Sequence, residues 1–448
     1  MRYIAFLIFT SALSVAWPQT QWVHDRFISF PQGVSISTWW PWGPNVNRDG
    51  IPVFDVLEGN VGGRPQAYRR ELNINRWYLG PDSQGQRPFI NDSGQVAYMA
   101  YTALSHHVMV DGRDFFAEVF PPTNDLTYSA SVRGIDSFGR PIWYWSDNNS
   151  KARVFRGTEE MSVGRDVWDP LIYSVNHNGD FAWWAYVDTP DGKSLELFRN
   201  EVAYASPILG DGFLAYPGYL NNVGDMLWAG RGAATAGVEH LFLNETNLTE
   251  GRVVGQRSMR ANAINDRGDI AWRWHDSSGL IHVMLNWRDL TNEVFGAANR
   301  GSRTEVYLSE AGDLAWVGSS RNPSYTSIYL NTENLSASEI GATTEVGDGV
   351  FLKGIDRFSN VLWDGAGEGT AHRMEVFVNK FCLSRDALGD MNYRSATAMA
   401  IGQNGHVLWC MLDWEHNTHV YLSTIVPEPS GLLLVGVGLL PLMLRRKT

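Results

Sequence analysis

A short motif that returns nine times constrains this chain more than any other feature. Its clearest copies are Asn176-His-Asn-Gly-Asp180-Phe-Ala-Trp183, Asn221-Asn-Val-Gly-Asp225-Met-Leu-Trp228, Asn265-Asp-Arg-Gly-Asp269-Ile-Ala-Trp272 and Ser309-Glu-Ala-Gly-Asp313-Leu-Ala-Trp316. Weaker copies begin at Asn47, Asn91, Asp136, Asp356 and Gly402. The turn glycines are Gly50, Gly94, Gly139, Gly179, Gly224, Gly268, Gly312 and Gly405, with Ser359 in the eighth copy, so the spacings run 44, 45, 40, 45, 44, 44, 47 and 46 residues. That period matches one four-stranded blade of a β-propeller.

Each position has a mechanical reading. An aliphatic four residues before the glycine (Val46, Ile90, Ile135, Val175, Leu220, Ile264, Leu308, Ile355, Ile401) ends a buried strand. The Asn or Asp that follows favours an Asx-turn, and glycine supplies positive φ. Four residues after the glycine stands a large aromatic: Phe54, Tyr98, Trp143, Trp183, Trp228, Trp272, Trp316, Trp363 or Trp409. The residue before it is apolar too, as at Ala271 and Leu362, so the strand is expected to be buried on both faces between neighbouring blades. A further strand follows roughly 15 residues on, for example Glu196-Leu-Phe-Arg and His240-Leu-Phe-Leu.

The ninth copy runs out near Ile425 after only part of a blade, while Trp22 to Pro44 precedes the first motif without partners of its own. That stretch is expected to complete the last blade and leave no open edge. The fold expected is therefore all-β: a single propeller of eight or nine four-stranded blades, with two smaller propellers or a stacked array as alternatives. Composition agrees. The 448 residues include 44 Gly and 19 Trp, 12% aromatic residues and only 19% charged ones, which suits tight turns and pleated strands. A net charge of -12 argues against nucleic acid or an anionic membrane surface as partner. Cys382 and Cys410 are too few for a disulfide framework; one bond and two buried thiols both remain open.

The two ends read as addresses. Met1 and Arg2, an apolar run from Tyr3 to Val15, and the small pair Ser14 and Ala16 form a signal peptide expected to span residues 1–16, which implies export. At the other end, Val426-Pro427-Glu428-Pro429-Ser430 precedes an apolar stretch and the basic stop Arg445-Arg446-Lys447. This tripartite tail, residues 426–448, resembles the PEP-CTERM sorting signal of exported bacterial proteins. The resemblance implies an exosortase, an integral-membrane cysteine protease, as sorting partner. It also implies delivery to the cell surface or extracellular matrix of an exopolysaccharide-producing Gram-negative bacterium. As a helix the span from Ser430 to Leu444 reaches about 22 Å, short of a hydrocarbon core of roughly 30 Å, and Pro441 weakens it. A transient inner-membrane anchor is expected, with a lasting anchor as alternative. The repeat domain then occupies residues 17–425.

No catalytic signature is found: no His-Glu-x-x-His, no Gly-x-Ser-x-Gly, no phosphate-binding loop and no paired-cysteine metal site. No cofactor and no metal are expected. The Asn-Asp-x-Gly-Asp loops lack the later bidentate Glu of a calcium loop. His107, His240, His282 and His419 recur at one strand position, which separates them by a blade width, about 10 Å, too far to share a metal. The position after the invariant aromatic varies most: Asp55, Met99, Tyr144, Trp184, Ala229, Arg273, Val317, Asp364, Cys410. Of these, Tyr144, Trp184, Arg273, Asp55 and Asp364 are the candidate ligand-binding residues, able to line a cleft where sugar faces stack on rings and Asp and Arg take hydroxyls. Drift at tolerant sites explains the variation equally well. The cluster Trp39-Trp40-x-Trp42 is a second candidate. Two functions follow: an exported binding or scaffold protein of the envelope or matrix, and a secreted carbohydrate-active enzyme, a glycoside hydrolase or lyase. A pair of carboxylates at working distance with raised pKa would favour the second.

Overall fold

The computed structural model describes residues 21–426 apart from 33, 37–44, 59–63, 104, 121–128, 191, 253–257, 297–304, 322–323, 342–348 and 390. The signal peptide, the sorting tail with Pro427, Glu428, Pro429, Arg445, Arg446 and Lys447, and the Trp39 to Trp42 cluster lie outside the described residues. The main body is His24–Ser423; of the other unit only residues 21–23 and 424–426 are described, all of them strand.

The body is all-β and propeller-like. Copy two shows the unit: Gln84–Ile90, Val96–Tyr101, His106–Val110 and the two-residue strand Arg113–Asp114 pair in order as an antiparallel sheet. A short helix, Phe115–Val119, follows the fourth strand. Its N-cap Asp114 accepts from the Ala117 amide at 3.1 Å. The other copies repeat this plan, with copies three to five hydrogen-bonded into one larger sheet.

The turn between first and second strands is built as the motif predicts. In all nine copies the amide of the glycine, or of Ser359, donates to the carbonyl three residues earlier at 2.9–3.2 Å. In every copy but the ninth, where Gly402 stands there, the side chain at that earlier position accepts from the amide after the glycine, as Asn221 Oδ1 does from Asp225 at 2.7 Å. Ser359 takes the same left-handed conformation, φ 69°, without glycine's freedom. The Asn amide then reaches the next copy: Asn176 Nδ2 donates to Asn221 O at 3.0 Å, Asn221 to Asn265 O at 3.1 Å, and Asn265 to Ser309 O at 2.9 Å.

The invariant aromatics are core. All nine are buried, at 0–1% exposure. Six of the seven tryptophans donate their indole N–H to the carbonyl that closes the next hairpin, for instance Trp183 to Asn200 O and Trp228 to Asn244 O, each at 2.7 Å; Trp409 uses Ser423 Oγ at 2.8 Å instead. Most also stack on a third-strand ring, as Trp183 does on Phe198 with centroids 4.1 Å apart. The closing Asn is left-handed, φ 51° at Asn200 and Asn244. Its side chain accepts from the first amide of the second strand and donates to the Asp after the glycine, as at Asn244 with Met226 (2.9 Å) and Asp225 (2.9 Å). These Asp carboxylates are thus occupied in joining two hairpins.

The first strands of successive copies lie side by side from copy one to copy nine, and the ninth, Ser395–Ile401, lies against Asn45–Val46 of the first. There Asn404 Nδ2 donates to Arg48 O at 2.9 Å. The segment before the first motif divides its role. Gln21–Phe30 pairs with the last strand, Thr418–Val426, and completes the ninth sheet as expected. Val34–Ile36 instead pairs with the second strand of copy one, Val34 opposite Glu58 and Ile36 opposite Val56, because copy one needs a longer first strand than Asn45–Val46 supplies.

Two substitutions test this account by thermal or denaturant melting. Trp228→Phe keeps the stacked ring but orphans the Asn244 carbonyl, and is expected to cost about 1–3 kcal/mol. Gly268→Ala meets open space at φ +83°, so its loss of about 1–2 kcal/mol should come from backbone conformation alone.

Candidate functional site

The bulges of the first strands create the most chemically loaded surface. Ladder register slips just before the turn in copies two, three, four, six, eight and nine, between Gln86 and Phe89, Val132 and Gly134, Ile172 and Ser174, Ala261 and Ala263, Leu352 and Gly354, and Ala398 and Ala400. A bulge leaves a residue out of the ladder and re-aims its side chain. Here those residues include Arg87, Arg133, Tyr173, Asn262 and Lys353. None was singled out in the sequence, because a bulge falls between turn and strand signals; the faint clue is a large polar or aromatic residue six or seven positions before the turn glycine.

The five expected site residues fall into three groups beside these bulges. Asp55 and Tyr144 both meet Arg87. Asp55 is buried, and that burial, opposed by the Arg87 guanidinium and backbone amide, pushes its carboxyl up to about 6. Arg87 Nη1 donates to Ser131 Oγ at 3.1 Å, and Ser131 stands opposite Tyr144 on the neighbouring strand. Arg133 Nη2 donates to Tyr144 Oη at 3.2 Å with its guanidinium 5.6 Å from the ring centroid.

Trp184 and Arg273 belong to a second, aromatic group. Trp184 stacks with Tyr173, centroids 6.3 Å apart. Tyr219, its hydroxyl pushed up to about 12 by burial, lies within electrostatic reach of Tyr173, Arg273 and Tyr307. Tyr307 is 37% exposed, yet burial raises its hydroxyl as well. Two buried polar atoms here, Trp184 Nε1 and Arg273 Nε, have no protein partner. Buried polar groups are ordinarily satisfied, so each of these two atoms is one that water or another molecule can partner.

Asp364 stands apart with Lys353 and Cys410. Its Oδ2 accepts from the Ala398 amide at 3.1 Å and lies 3.7 Å from Lys353 Nζ, while Oδ1 is without a partner. Burial outweighs the lysine and pushes the carboxyl up to about 6, and pushes the Cys410 thiol up to about 12. Both cysteines are free thiols. Asp55 and Asp364 therefore share a use: each is held by a backbone amide from the first strand of the next copy.

The recurrent histidines are buttresses. His107 Nδ1 meets the helix-capping Asp114 at 2.6 Å, and His282 Nδ1 meets Asp289, the N-cap of Leu290–Phe295, at 2.7 Å. His419 binds Asp413 at 3.1 Å and Ser29 at 2.8 Å; His240 binds Thr249 at 3.2 Å. No group of three potential metal ligands is found among the described residues.

No protein-family model and no curated protein sequence matches the chain. Solved structures do resemble it. Prolyl oligopeptidase B from Galerina marginata is 10% identical with TM-score 0.38, covering 86% of this chain and 56% of that one, so the chain spans a little over half of it. The Dos1 propeller is 8% identical with TM-score 0.37, covering 88% and 95%. A sialidase from Trypanosoma rangeli is 11% identical with TM-score 0.24, covering 79% and 61%. At such values the propeller-like architecture stands on the chain's own sheets.

The raised carboxyl of Asp364 yields a test with a fixed sign. Its folded pKa lies above its unfolded value, so it stabilises below the unfolded pKa and loses that contribution as pH rises through about 6. Asp364→Asn should therefore gain melting temperature relative to wild type between pH 5 and pH 8; a pH-independent difference would remove this carboxyl from the linkage.

Proposed function

We propose that this is an exported binding protein of the bacterial envelope or extracellular matrix, a single nine-bladed propeller that engages its ligand on the side enclosed by the first strands. The observation carrying the binding site is the aromatic group of Tyr173, Trp184 and Tyr219 with Arg273, in which Trp184 Nε1 and Arg273 Nε are buried without a protein partner. The nine-blade reading is supported by the run of first-strand contacts that returns from copy nine to copy one, and by the pairing of Gln21–Phe30 with the last strand. Nine exceeds the usual four to eight blades. Export, and sorting by an exosortase that acts on the transient inner-membrane anchor, rest on the signal-peptide pattern and on Pro427-Glu428-Pro429 followed by Arg445, Arg446 and Lys447. Delivery to the cell surface or matrix of a Gram-negative bacterium follows from that tail.

The binding reading is checked by titrating purified protein against a glycan array and exopolysaccharide. Saturable binding should weaken roughly tenfold, about 1.4 kcal/mol, in Trp184→Ala and Tyr144→Ala; unchanged affinity in both would move the ligand elsewhere. Sorting is checked separately by cell fractionation of Glu428→Ala in an exosortase-bearing host. Full-length precursor should accumulate in the inner membrane, and a wild-type distribution would sink the sorting role.

One observation favours a carbohydrate-active enzyme instead: two buried carboxyls, Asp55 and Asp364, both held near 6. In that case Asp55→Asn or Asp364→Asn would abolish release of reducing ends or unsaturated sugars. Binding is favoured because each carboxylate already serves the backbone of the next copy.

A further inference from the structure

Copy two adds a hydroxyl to its histidine buttress. His107 stands on the third strand, His106–Val110, and Asp114 ends the two-residue fourth strand and caps the helix Phe115–Val119. Asp114 Oδ2 lies 2.6 Å from His107 Nδ1. Ser105 lies two residues before the histidine, in the hairpin between the second and third strands, so the period of a strand turns both side chains to one side. Its Oγ is 2.8 Å from the other ring nitrogen, Nε2. An ionised carboxylate can only accept, so in the neutral ring Nδ1 carries the proton and Nε2 accepts from the Ser105 hydroxyl. Thr102 Oγ1 stands 3.3 Å from both Ser105 Oγ and His107 Nε2 and accepts from the Ser105 amide at 3.2 Å, which holds the serine in place. Serine, imidazole and carboxylate thus stand in the order in which a general base activates a nucleophile.

Buttressing does not require the serine. In copy six His282 Nδ1 meets the helix cap Asp289 at 2.7 Å in the same way, yet the residue two before it is Leu280, and Nε2 has only Asp276 at 3.6 Å. Two further Ser-His-Asp chains occur among the described residues: Ser29 with His419 and Asp413, and Ser423 with His24 and Asp386. In both the ring is turned round, with Nδ1 on the hydroxyl and Nε2 on the carboxylate. Ser423 is also fully buried, and its oxygen takes the Trp409 indole N–H. At Ser105 the ring has the working orientation and solvent reaches the group, since the His107 and Asp114 side chains are 15% and 22% exposed.

We propose that Ser105, His107 and Asp114 form an ester-hydrolysing site for small acyl groups, with Ser105 as nucleophile, His107 as general base and acid, and Asp114 as positioning residue. His107 Nε2 takes the hydroxyl proton as Ser105 Oγ bonds to the ester carbonyl carbon and the carbonyl π pair moves to oxygen. When the carbonyl re-forms, the bond to the alkoxy oxygen breaks, and that oxygen leaves as the alcohol with the proton from Nε2. Water then attacks the acyl-serine with His107 again as base; the carbon–Oγ bond breaks, the acid departs and Oγ regains its proton. Asp114 holds Nδ1–H and favours the imidazolium formed at each step. The site lies in copy two and does not depend on the binding reading.

The test treats the full chain with a fluorophosphonate, which bonds phosphorus to an activated serine oxygen as fluoride leaves, and follows hydrolysis of p-nitrophenyl acetate in parallel. Peptide mass spectrometry should place the adduct on Ser105. Ser105→Ala should keep the melting temperature and bring ester hydrolysis down to the rate in buffer alone. His107→Gln should slow labelling about a hundredfold, the lower end of what a positioned base contributes. Asp114→Asn keeps a helix-capping acceptor but reverses which ring nitrogen carries the proton; labelling should slow while the melting temperature holds, and Asp114→Glu should recover part of the rate. Melting curves identify any variant that does not fold, and the Ser105→Ala comparison stands without the others. Absence of an adduct at Ser105, an adduct formed as fast in folded His107→Gln, or ester hydrolysis that survives in Ser105→Ala would each overturn the site. Labelling confined to Ser29 or Ser423 would overturn it as well. Glycan binding by Ser105→Ala separates the two readings, because loss of the esterase leaves the ligand-binding group of copies four to six intact.

Discussion

The buried aromatic of each second strand, a tryptophan in seven of the nine copies, is the constraint on which the rest depends. Its ring fills the core beside a third-strand aromatic, and its indole N–H satisfies the carbonyl of the left-handed residue that closes the following hairpin, as in Trp316 with Tyr329 and Asn331 O. A buried carbonyl without that donor would cost about as much as a lost hydrogen bond and its desolvation. One side chain thus fixes packing between sheets and the geometry of a turn some 15 residues away. The Asn of that turn then returns two hydrogen bonds to the start of the second strand. Copies four to eight each form a closed circuit of this kind, and in copies four to six the Asn of the first turn ties the copy to the next.

Because the circuit is made of backbone and core groups, it tolerates almost any residue on the opposite face of the second strand and at the first-strand bulges. Those are the positions that diverge between copies. The divergence is chemically ordered: cations in copies two and three, rings in copies three to five, a cation again in copy six, and an enclosed Lys353, Asp364 and Cys410 group in copies eight and nine. On the binding reading proposed above, asymmetric side chains on this repeated frame are what would give the body one site rather than nine.

Much of this was legible beforehand. The turn residues, the nine aromatics and the completion of the last sheet by the N-terminal strand all follow from local rules, since turn chemistry and period-two burial act over a few residues. Of the five site residues, Asp55 with Tyr144 and Trp184 with Arg273 fall beside the bulge groups, while Asp364 turns to the first strand of copy nine. The Arg87 to Ser131 contact was not legible. It depends on a bulge that displaces the side-chain alternation by one residue, and on a reach across copies 44 residues apart.

By itself the sequence determined the period, the turns and the buried aromatic of each second strand, because each is written in residues close enough to interact along the chain. Tertiary structure alone decided which divergent residues face one another. Side chains from different copies meet only after the first strands have been laid side by side, and the cost of bringing Arg87 to Ser131 is met by packing that neither residue supplies.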